Sequence, residues 1–315
     1  MIPSRPLGSS GFSTPPLMLG GNVFGWTADR AATFAVLDGF VAGGGTLIDT
    51  ADVYSAWKPG NKGGESETLI GEWLKTRSRQ DVLIATKVGM LDGPGGTGLH
   101  PDRIMAAVEA SLHRLGTDYI DLYFAHQDDP NVPQADVLGA FDTLVSAGKV
   151  RSIGASNFRA DRLKSALAAS DAGGLVRYTV LEPHYNLVER NGFEGELQQL
   201  CVAENIGVVP YYALASGFLT GKYRDDADAT ASARGEGAAR YLDVRGRRVL
   251  DALDAVAAEH AAPVAAIALA WLAAQPAIVA PIASARTIEQ LPDLLASMHI
   301  VLTPAQLTRL DAASA

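Results

Sequence analysis

Residues suited to proton transfer follow successive apolar runs of the chain, each at the point where a run ends. Asp49 ends one run and Tyr54 comes shortly after it, Lys87 ends the next run, and His126 ends the one after that. Taken singly, each has an ordinary explanation as a turn former, a packing residue, a solvated charge or a core histidine. Taken together, a carboxylate, a phenol, an ammonium and an imidazole indicate a site that transfers a proton to a carbonyl oxygen.

The chemistry expected of such a site follows from the pKa of tyrosine. Reduction of a carbonyl requires a hydride at carbon and a proton at oxygen, yet a phenol with a pKa of about 10 holds its proton tightly at neutral pH. We expect the ammonium of Lys87 to lower the pKa of Tyr54, and the carboxylate of Asp49 to anchor Lys87. We expect His126 to donate a hydrogen bond that orients the substrate oxygen.

Polar residues near the same predicted strand ends also allow a different chemistry. Asp49, His126, Glu182 and His184 all lie near predicted strand ends, and carboxylates with imidazoles are typical ligands of a metal-dependent barrel hydrolase or isomerase. That alternative leaves the phenol and the ammonium without a role. The proton-transfer hypothesis therefore explains more of the polar residues, and it assigns no metal ligand.

The elements that must position these residues alternate between short apolar runs and longer amphipathic segments. Strand-sized runs occupy residues 17–19, 47–48, 82–85, 119–123, 150–154, 178–181, 206–210 and 278–282. Apolar residues at three- and four-residue spacing predict helices over residues 30–41, 65–75, 101–115, 134–147, 160–169 and 193–204. Eight β/α units predict an α/β fold, a single-domain (β/α)8 TIM barrel over residues 1–315, with its site where the strands end.

An open, doubly wound sheet is the alternative fold, and it requires a glycine-rich turn directly after its first strand. The segment that follows the first run, residues 20–25, does not have that spacing. A G-x-G-x-x-G match does occur at Gly93, Gly95 and Gly98, but it begins several residues past the strand that contains Lys87. We interpret it as a loop and not as a dinucleotide-binding turn.

Composition limits the partners and the compartment. A formal net charge of -9 disfavours binding to nucleic acid, which needs clustered Lys and Arg. Cys201 is the only cysteine and the first residues lack the apolar core of a signal peptide, so we expect a cytoplasmic protein. Residues 263–283 are apolar, but the prolines within them favour a buried helix followed by a buried strand over a membrane span. The oligomeric state stays open.

Several motifs together resemble those of one family over nearly the whole chain: IDTADVY at 48–54, ATK at 85–87, GASNF at 154–158, YNL at 185–187 and ASGFLTGKY at 215–223. In these motifs the chain resembles the aldo-keto reductase family. The resemblance implies that Asp49, Tyr54, Lys87 and His126 form a catalytic tetrad in which Tyr54 is the general acid/base. It implies hydride transfer between the nicotinamide C4 and a small carbonyl or alcohol substrate.

The resemblance also implies a nicotinamide cofactor, NADPH in most relatives and NADH in some, bound at the barrel mouth. Ser156 and Asn157 match residues that hold the carboxamide, and Tyr211 matches an aromatic residue that stacks on the nicotinamide ring. Glu182 stands where many relatives have Gln, next to the carboxamide. A carboxylate there can accept a hydrogen bond but cannot donate one.

The rest of the implied cofactor site lies later in the chain. One segment resembles the loop along the pyrophosphate, and another resembles the adenosine end; their candidate residues are Gly217, Leu219 and Lys222, then Ser284, Arg286, Glu289 and Gln290. An arginine favours the 2′-phosphate of NADPH by charge. Ala280 and Pro281 replace a Lys-Ser pair of some relatives, so strict use of NADPH and use of both NADPH and NADH stay open as alternatives.

The substrate pocket is less defined. Phe24, Trp26 and Trp57 are candidates for an aromatic wall, and the segment from Tyr223 to Leu242, which lacks an apolar period, is a candidate lid. A regulatory module that holds cofactor without turnover is a third functional hypothesis. No extra interaction domain is visible in the sequence to support it.

Overall fold

The predicted strands form one parallel sheet of eight strands, curled as a (β/α)8 barrel. The computed structural model describes residues 2–225 and 235–315. In the sheet, the strand nearest the C-terminus pairs with the first, and the others follow in chain order. Its strands are β3 (Met18–Gly20), β4 (Leu47–Asp49), β5 (Leu83–Val88), β6 (Ile120–Ala125), β7 (Val150–Ser156), β8 (Tyr178–Glu182), β9 (Gly207–Val208) and β10 (Ile282–Ala283).

Helices follow the strands and cover the outside of the sheet. The six helices expected from the sequence are present, and their bounds are α1 (Arg30–Ala42), α2 (Glu65–Leu74), α3 (Pro101–Leu115), α4 (Gln134–Ser146), α5 (Ala160–Gly173) and α6 (Glu196–Ala203). Further helices, for which the sequence made no prediction except around α9, are α7 (Gly235–Ala239), α8 (Val244–His260), α9 (Val264–Ala273), α10 (Leu291–Ala296) and α11 (Pro304–Ser314).

The seam between β9 and β10 is where the prediction of the last strand was inaccurate. A strand over 278–282 was expected, but the regular strand is Ile282–Ala283. Ala277 has a positive φ of 68°, and Pro281 has no N–H to donate, so a regular ladder cannot run through this stretch. Isolated hydrogen bonds join the two edges of the sheet instead. Val208 N–H donates to the Ala277 carbonyl at 2.9 Å, and Ile282 N–H donates to the Pro210 carbonyl at 2.9 Å.

A short hairpin that the sequence analysis did not predict packs on the other end of the barrel. It pairs β1 (Arg5–Pro6) with β2 (Ser13–Thr14) in antiparallel register. A Cβ atom added at Gly8 would lie 2.3 Å from the Thr179 carbonyl oxygen and 2.4 Å from the Gly207 nitrogen, at the starts of β8 and β9. Leu7 beside it is fully buried in the inner cluster of the barrel. The hairpin therefore closes the end at which the strands begin.

The apolar stretch 263–283 is a buried helix followed by a short strand, as predicted, with every residue from Ala265 to Ala273 buried. Within the described ranges, no helix taken alone has the length and apolar composition to cross a membrane. By length and composition only, one pair passes that test together, α8 and α9, which are bent by 97°.

Candidate active site

The ammonium of Lys87 lies at the centre of the polar residues at the carboxyl ends of the strands. The side chain is fully buried on β5. Its Nζ donates to the Asp49 carboxylate, to the Thr50 carbonyl oxygen at 3.1 Å and to the Tyr54 hydroxyl oxygen at 3.0 Å. These three bonds use the three donors of an ammonium. The expected grouping of carboxylate, ammonium and phenol is therefore present in the fold.

Strand register explains why these residues meet. Asp49, the last residue of β4, pairs with Ala85 of β5, so Lys87 lies two residues further along its strand and its side chain points to the same face. The loop after β4 returns Tyr54 to the rim, where its backbone carbonyl accepts from Gly64 N–H at 3.0 Å. The Tyr54 hydroxyl donates to Asp49 Oδ2 at 3.3 Å.

The electrostatics of Tyr54 differ from the expectation. Burial first, and then the charge of Asp49, raise the pKa of Tyr54 well above 10, although Lys87 acts in the expected, lowering direction. Burial also opposes the charge on Lys87, but Asp49, Glu182 and Tyr54 beside it raise the pKa of Lys87 above its ordinary value. The prediction of a net lowered tyrosine pKa was wrong because it left out the loss of water around the phenol. The phenol is held protonated next to a permanent ammonium.

His126 lies just past the end of β6, beside Tyr54. Its backbone N–H donates to the Val88 carbonyl at 2.8 Å, and the ring centroids of Tyr54 and His126 are 6.0 Å apart. Burial and then the charge of Lys87 lower the pKa of His126 well below 6.5. At neutral pH the imidazole is therefore uncharged and has one N–H to donate.

Glu182 contacts the same ammonium, which the sequence analysis missed. Its Oε1 lies 3.4 Å from Lys87 Nζ, and only 2% of the residue is exposed. The sequence placed Glu182 near the carboxamide and gave no sign of a lysine contact, because that contact depends on which β8 side chains point into the barrel. Burial raises the pKa of Glu182 to about 8, against the lowering effect of Lys87.

The candidate residues for the nicotinamide end form one connected group. The Ser156 hydroxyl donates to the Glu182 carbonyl at 3.0 Å, and the Asn157 amide donates to the His126 carbonyl at 2.9 Å. Tyr211 donates its hydroxyl proton to Asn157 Oδ1 at 2.7 Å, which holds the aromatic ring upright at the rim. Ser156 and Glu182 end β7 and β8, and Asn157 and Tyr211 follow β7 and β9, so all four lie on the rim with Asp49, Tyr54, Lys87 and His126.

One face of the Tyr211 ring is already covered. His184 stacks on it with the ring centroids 5.3 Å apart and an interplanar angle of 17°. A ring supported on one face and anchored at its hydroxyl is a rigid platform for a second flat ring on the other face.

The candidate pyrophosphate loop has an irregular backbone. Gly217 has a φ of 95° inside a short 3-10 segment over Ala215–Thr220, and Leu219 is fully buried. A Cβ added at Gly217 would make only ordinary contact with Lys222 Cε at 3.5 Å, so the positive φ, and not the space, favours glycine here. Lys222 itself is exposed, with its ammonium 4.8 Å from the centroid of the Tyr223 ring.

The candidate adenosine end follows β10. Ser284 donates its hydroxyl proton to Asn22 Oδ1 at 2.7 Å, and the Arg286 backbone N–H donates to Gln290 Oε1 at 2.9 Å. Glu289 is exposed. In the described part of the chain, no side chain or carbonyl pairs with the Arg286 guanidinium. A half-buried arginine with its charge uncompensated in this way suits an anionic group such as a phosphate.

The residues present fit a nicotinamide dinucleotide. An aromatic platform, an amide and a hydroxyl lie next to the tetrad, a positive-φ glycine with a nearby lysine follows β9, and an unpaired arginine follows β10. All lie after strand ends, the end of a barrel that binds ligands.

A cavity of about 650 Å³ opens beside Tyr54, lined among others by Val53, Trp57, Met90 and Gln127. Trp57 forms edge contacts with Tyr54 and with Trp26, with ring centroids 5.7 Å and 5.9 Å apart. Phe24, expected in the same wall, is fully buried and packs in the core. Of the candidate lid over 223–242, residues 226–234 lie outside the described residues.

The geometry around Lys87 bears on the metal-site hypothesis. Asp49 and Glu182, two of the four ligands it requires, both contact the Lys87 ammonium, which occupies the position between the carboxylates. A divalent cation there would face a buried positive charge. The arrangement therefore favours proton transfer over metal ligation.

A second buried charge cluster was also missed. Arg103 donates to Asp52 at 3.3 Å and to the Leu91 carbonyl at 3.0 Å, and Arg114 donates to Glu67 at 2.6 Å. Asp52 lies within the motif that includes Tyr54, but nothing in the sequence marks it as buried. The cluster connects the loop after β4 to the loop after β5, and so supports both sides of the cavity.

A parallel eight-stranded barrel with a phenol, an ammonium and the candidate cofactor residues at one rim is the arrangement expected of an oxidoreductase. Comparison with known proteins agrees, because the family model described as "Aldo/keto reductase family" matches residues 16–315. The chain is 34% identical to an uncharacterized oxidoreductase, YrpG, of Bacillus subtilis, over 94% of this chain and 91% of the relative. It is 32% identical to protein tas of Escherichia coli, over 96% and 95% of the two chains.

A fungal relative is similar over the same region. The norsolorinic acid reductase of Aspergillus flavus is 30% identical over 96% of this chain and 78% of its own length. The chain belongs to the aldo/keto reductase family. It is accordingly an oxidoreductase that uses a nicotinamide cofactor, and the family acts on small carbonyl substrates.

Proposed function

We propose that the protein is an NADPH-dependent carbonyl reductase in which Tyr54 is the general acid/base. The observation that carries the proposal is the 3.0 Å contact between Lys87 Nζ and the Tyr54 hydroxyl oxygen, with Asp49 holding the ammonium on its other side. A phenol in this position gives up its proton next to a charge that stabilises the phenolate left behind.

The residues divide the work as follows. A nicotinamide cofactor, when bound, would supply the hydride for the carbonyl carbon. Tyr54 turns its O–H from Asp49 Oδ2 towards the substrate oxygen and donates the proton there. Neutral His126 orients that oxygen through its one N–H. The nearly complete burial of Lys87 and Asp49 excludes water and so strengthens the electrostatic interactions of these two groups.

The preference for NADPH rests on Arg286. Its guanidinium suits the 2′-phosphate that distinguishes NADPH from NADH. Ala280 and Pro281 bring no second charge to this end of the site, so we propose that NADH is also used, more weakly. Ser156, Asn157, Glu182 and Tyr211 would hold the nicotinamide end, with Gly217, Leu219 and Lys222 along the pyrophosphate and Ser284, Glu289 and Gln290 beside the adenosine.

The proposal extends to the whole chain as one domain. The family match begins at residue 16, and the preceding hairpin contributes Leu7 to the inner barrel core, which supports a single unit over residues 1–315.

Initial rates of NADPH and NADH oxidation with a panel of aldehydes, ketones and quinones test the proposal. We expect turnover with both nucleotides, a preference for NADPH, and loss of that preference in Arg286→Ala. The matched control is Arg309→Ala, whose arginine pairs with Glu259 at the surface. Absence of carbonyl reduction with either nucleotide refutes the function, and an unchanged preference in Arg286→Ala refutes the phosphate contact.

A further inference from the structure

The Glu182 carboxyl lies beside the Lys87 ammonium, farther from it than the three groups that accept its short hydrogen bonds. The three N–H donors of Lys87 point to Asp49, the Thr50 carbonyl and Tyr54, while Glu182 Oε1 is 3.4 Å from the nitrogen. The other oxygen, Oε2, is buried and has no hydrogen-bond partner among the residues that the structure describes. Glu182 therefore faces the ammonium with unsatisfied acceptor capacity.

The position of Glu182 is fixed from its backbone. Its carbonyl accepts from the Ser156 hydroxyl at 3.0 Å and from Asn157 N–H at 3.3 Å, and Ser156 pairs with it across β7 and β8. Because only 2% of the residue is exposed, its carboxyl is kept beside the ammonium and away from solvent. It can only compete with the groups already bound there.

Building on the proposed function, we propose that Glu182 is a positioning residue that keeps Tyr54 in its proton-donating form. When ionised, its carboxylate competes with the phenol oxygen for the third N–H of Lys87 and for the charge of that ammonium. An ammonium shared between two carboxylates stabilises a phenolate less than one held by Asp49 alone. The amide of a glutamine at the same position does not compete in this way, because it has no charge.

The order in which Glu182 and Tyr54 ionise agrees with a role of Glu182 in keeping Tyr54 protonated. The titratable groups that surround the Glu182 carboxyl come from several elements and are Lys87 on β5, Asp49 on β4, Tyr54 in the loop after β4 and Tyr211 after β9. Burial raises the pKa of Glu182 to about 8, whereas the pKa of Tyr54 is raised well above 10, in part by Glu182 itself. As the pH rises, Glu182 loses its proton first and Tyr54 keeps its own.

The consequence is a bias between the two directions of reaction. Carbonyl reduction needs a protonated Tyr54, so an ionised Glu182 extends reduction to higher pH. Alcohol oxidation needs Tyr54 as a base, so the same charge delays oxidation to higher pH. Glu182 thereby favours reduction over oxidation under alkaline conditions.

The test compares pH profiles of kcat for Glu182→Gln and the wild-type enzyme in both directions, with nucleotide binding followed by fluorescence. We expect the alkaline loss of reduction and the rise of oxidation to move together to lower pH by about one unit or more. Glu182→Asp keeps the charge at a greater distance from Lys87 and should give a smaller shift in the same direction. This second variant tests the inference if Glu182→Gln does not fold. Glu109→Gln removes a surface carboxylate paired with Lys149 and should leave the profile unchanged.

Failure of this inference and failure of the proposed function give different results. If Tyr54→Phe abolishes reduction but neither Glu182 variant moves the profile, this inference fails and the proposed function stands. If Tyr54→Phe retains full reduction, the proposed function fails. A change in KM alone, with both limbs in place, also overturns the inference, because it assigns Glu182 to cofactor binding only.

Discussion

At the scale of single residues, the site depends on buried charges that are stabilised by the opposite charges beside them. Lys87 is fully buried, and Asp49 and Glu182 are each 2% exposed. The sequence predicted the grouping of Asp49, Tyr54 and Lys87 because polar residues at successive strand ends must meet in a barrel. It did not predict the contact of Glu182 or the raised pKa of Tyr54, since both depend on how completely the folded chain excludes water.

Replacement of Lys87 by Met tests this dependence. The variant leaves two buried carboxyls without their cation, so we expect a loss of roughly 3–5 kcal/mol in the free energy of unfolding. Lys149→Met breaks a surface pair with Glu109 and should cost about 1 kcal/mol or less. Urea unfolding measures both. Equal, small effects in the two variants would contradict a buried ion pair at the centre of the site.

At the scale of elements, the six helices between β3 and β9 were predictable, whereas the long helix α8 and the shortest strands were not. α3 begins and ends at the predicted residues, and α1, α2 and α4 differ from their predictions by a residue at one end. The hairpin strands are two residues long, too short for an alternating pattern. β10 is equally short because neighbouring Pro281 and Ala277 interrupt the ladder. Local sequence carries little information about such pairings, which tertiary contacts determine.

The contact between α2 and α3 gives a prediction at this scale. A Cβ at Gly71 would lie 2.1 Å from the Arg114 carbonyl oxygen, whereas one at Gly139 in α4 meets nothing within 4 Å. Alanine favours helix over glycine by about 1 kcal/mol, so Gly139→Ala should raise the free energy of unfolding by up to that amount. Gly71→Ala should lower it by about 1–3 kcal/mol through the backbone clash. Thermal and urea denaturation measure both, and a stabilised Gly71→Ala would refute the close approach of the two helices.

At the scale of the whole molecule, the hairpin and the candidate site lie at opposite ends of the barrel. The hairpin closes the end where the strands begin, and the tetrad and the cofactor candidates lie at the opposite end, where the strands finish. From the alternation of strands and helices, the sequence analysis predicted only that the site lies where the strands finish. The identity of the element at the closed end was not predictable, because Leu7 belongs to no periodic segment.

Substitution of Leu7 tests the separation of the two ends. Leu7→Ala removes a fully buried side chain from the inner cluster, so we expect a loss of roughly 2–5 kcal/mol in the free energy of unfolding. The dissociation constant for NADPH should stay within about twofold of the wild-type value, since in the described structure no candidate cofactor residue forms a hydrogen bond with the hairpin. Fluorescence titration at a temperature where both proteins are folded makes the comparison. A large loss of nucleotide affinity without a loss of stability would contradict the division.

The most direct measurement of the central claim is the single-turnover rate of carbonyl reduction by Tyr54→Phe with NADPH already bound. The variant keeps the aromatic ring and loses only the hydroxyl that lies 3.0 Å from Lys87 Nζ. Removal of a general acid costs about 10²–10⁴-fold, so we expect a loss of at least that size with nucleotide affinity nearly unchanged. A single-turnover rate equal to that of the wild-type enzyme would contradict the assignment of Tyr54 as the proton donor.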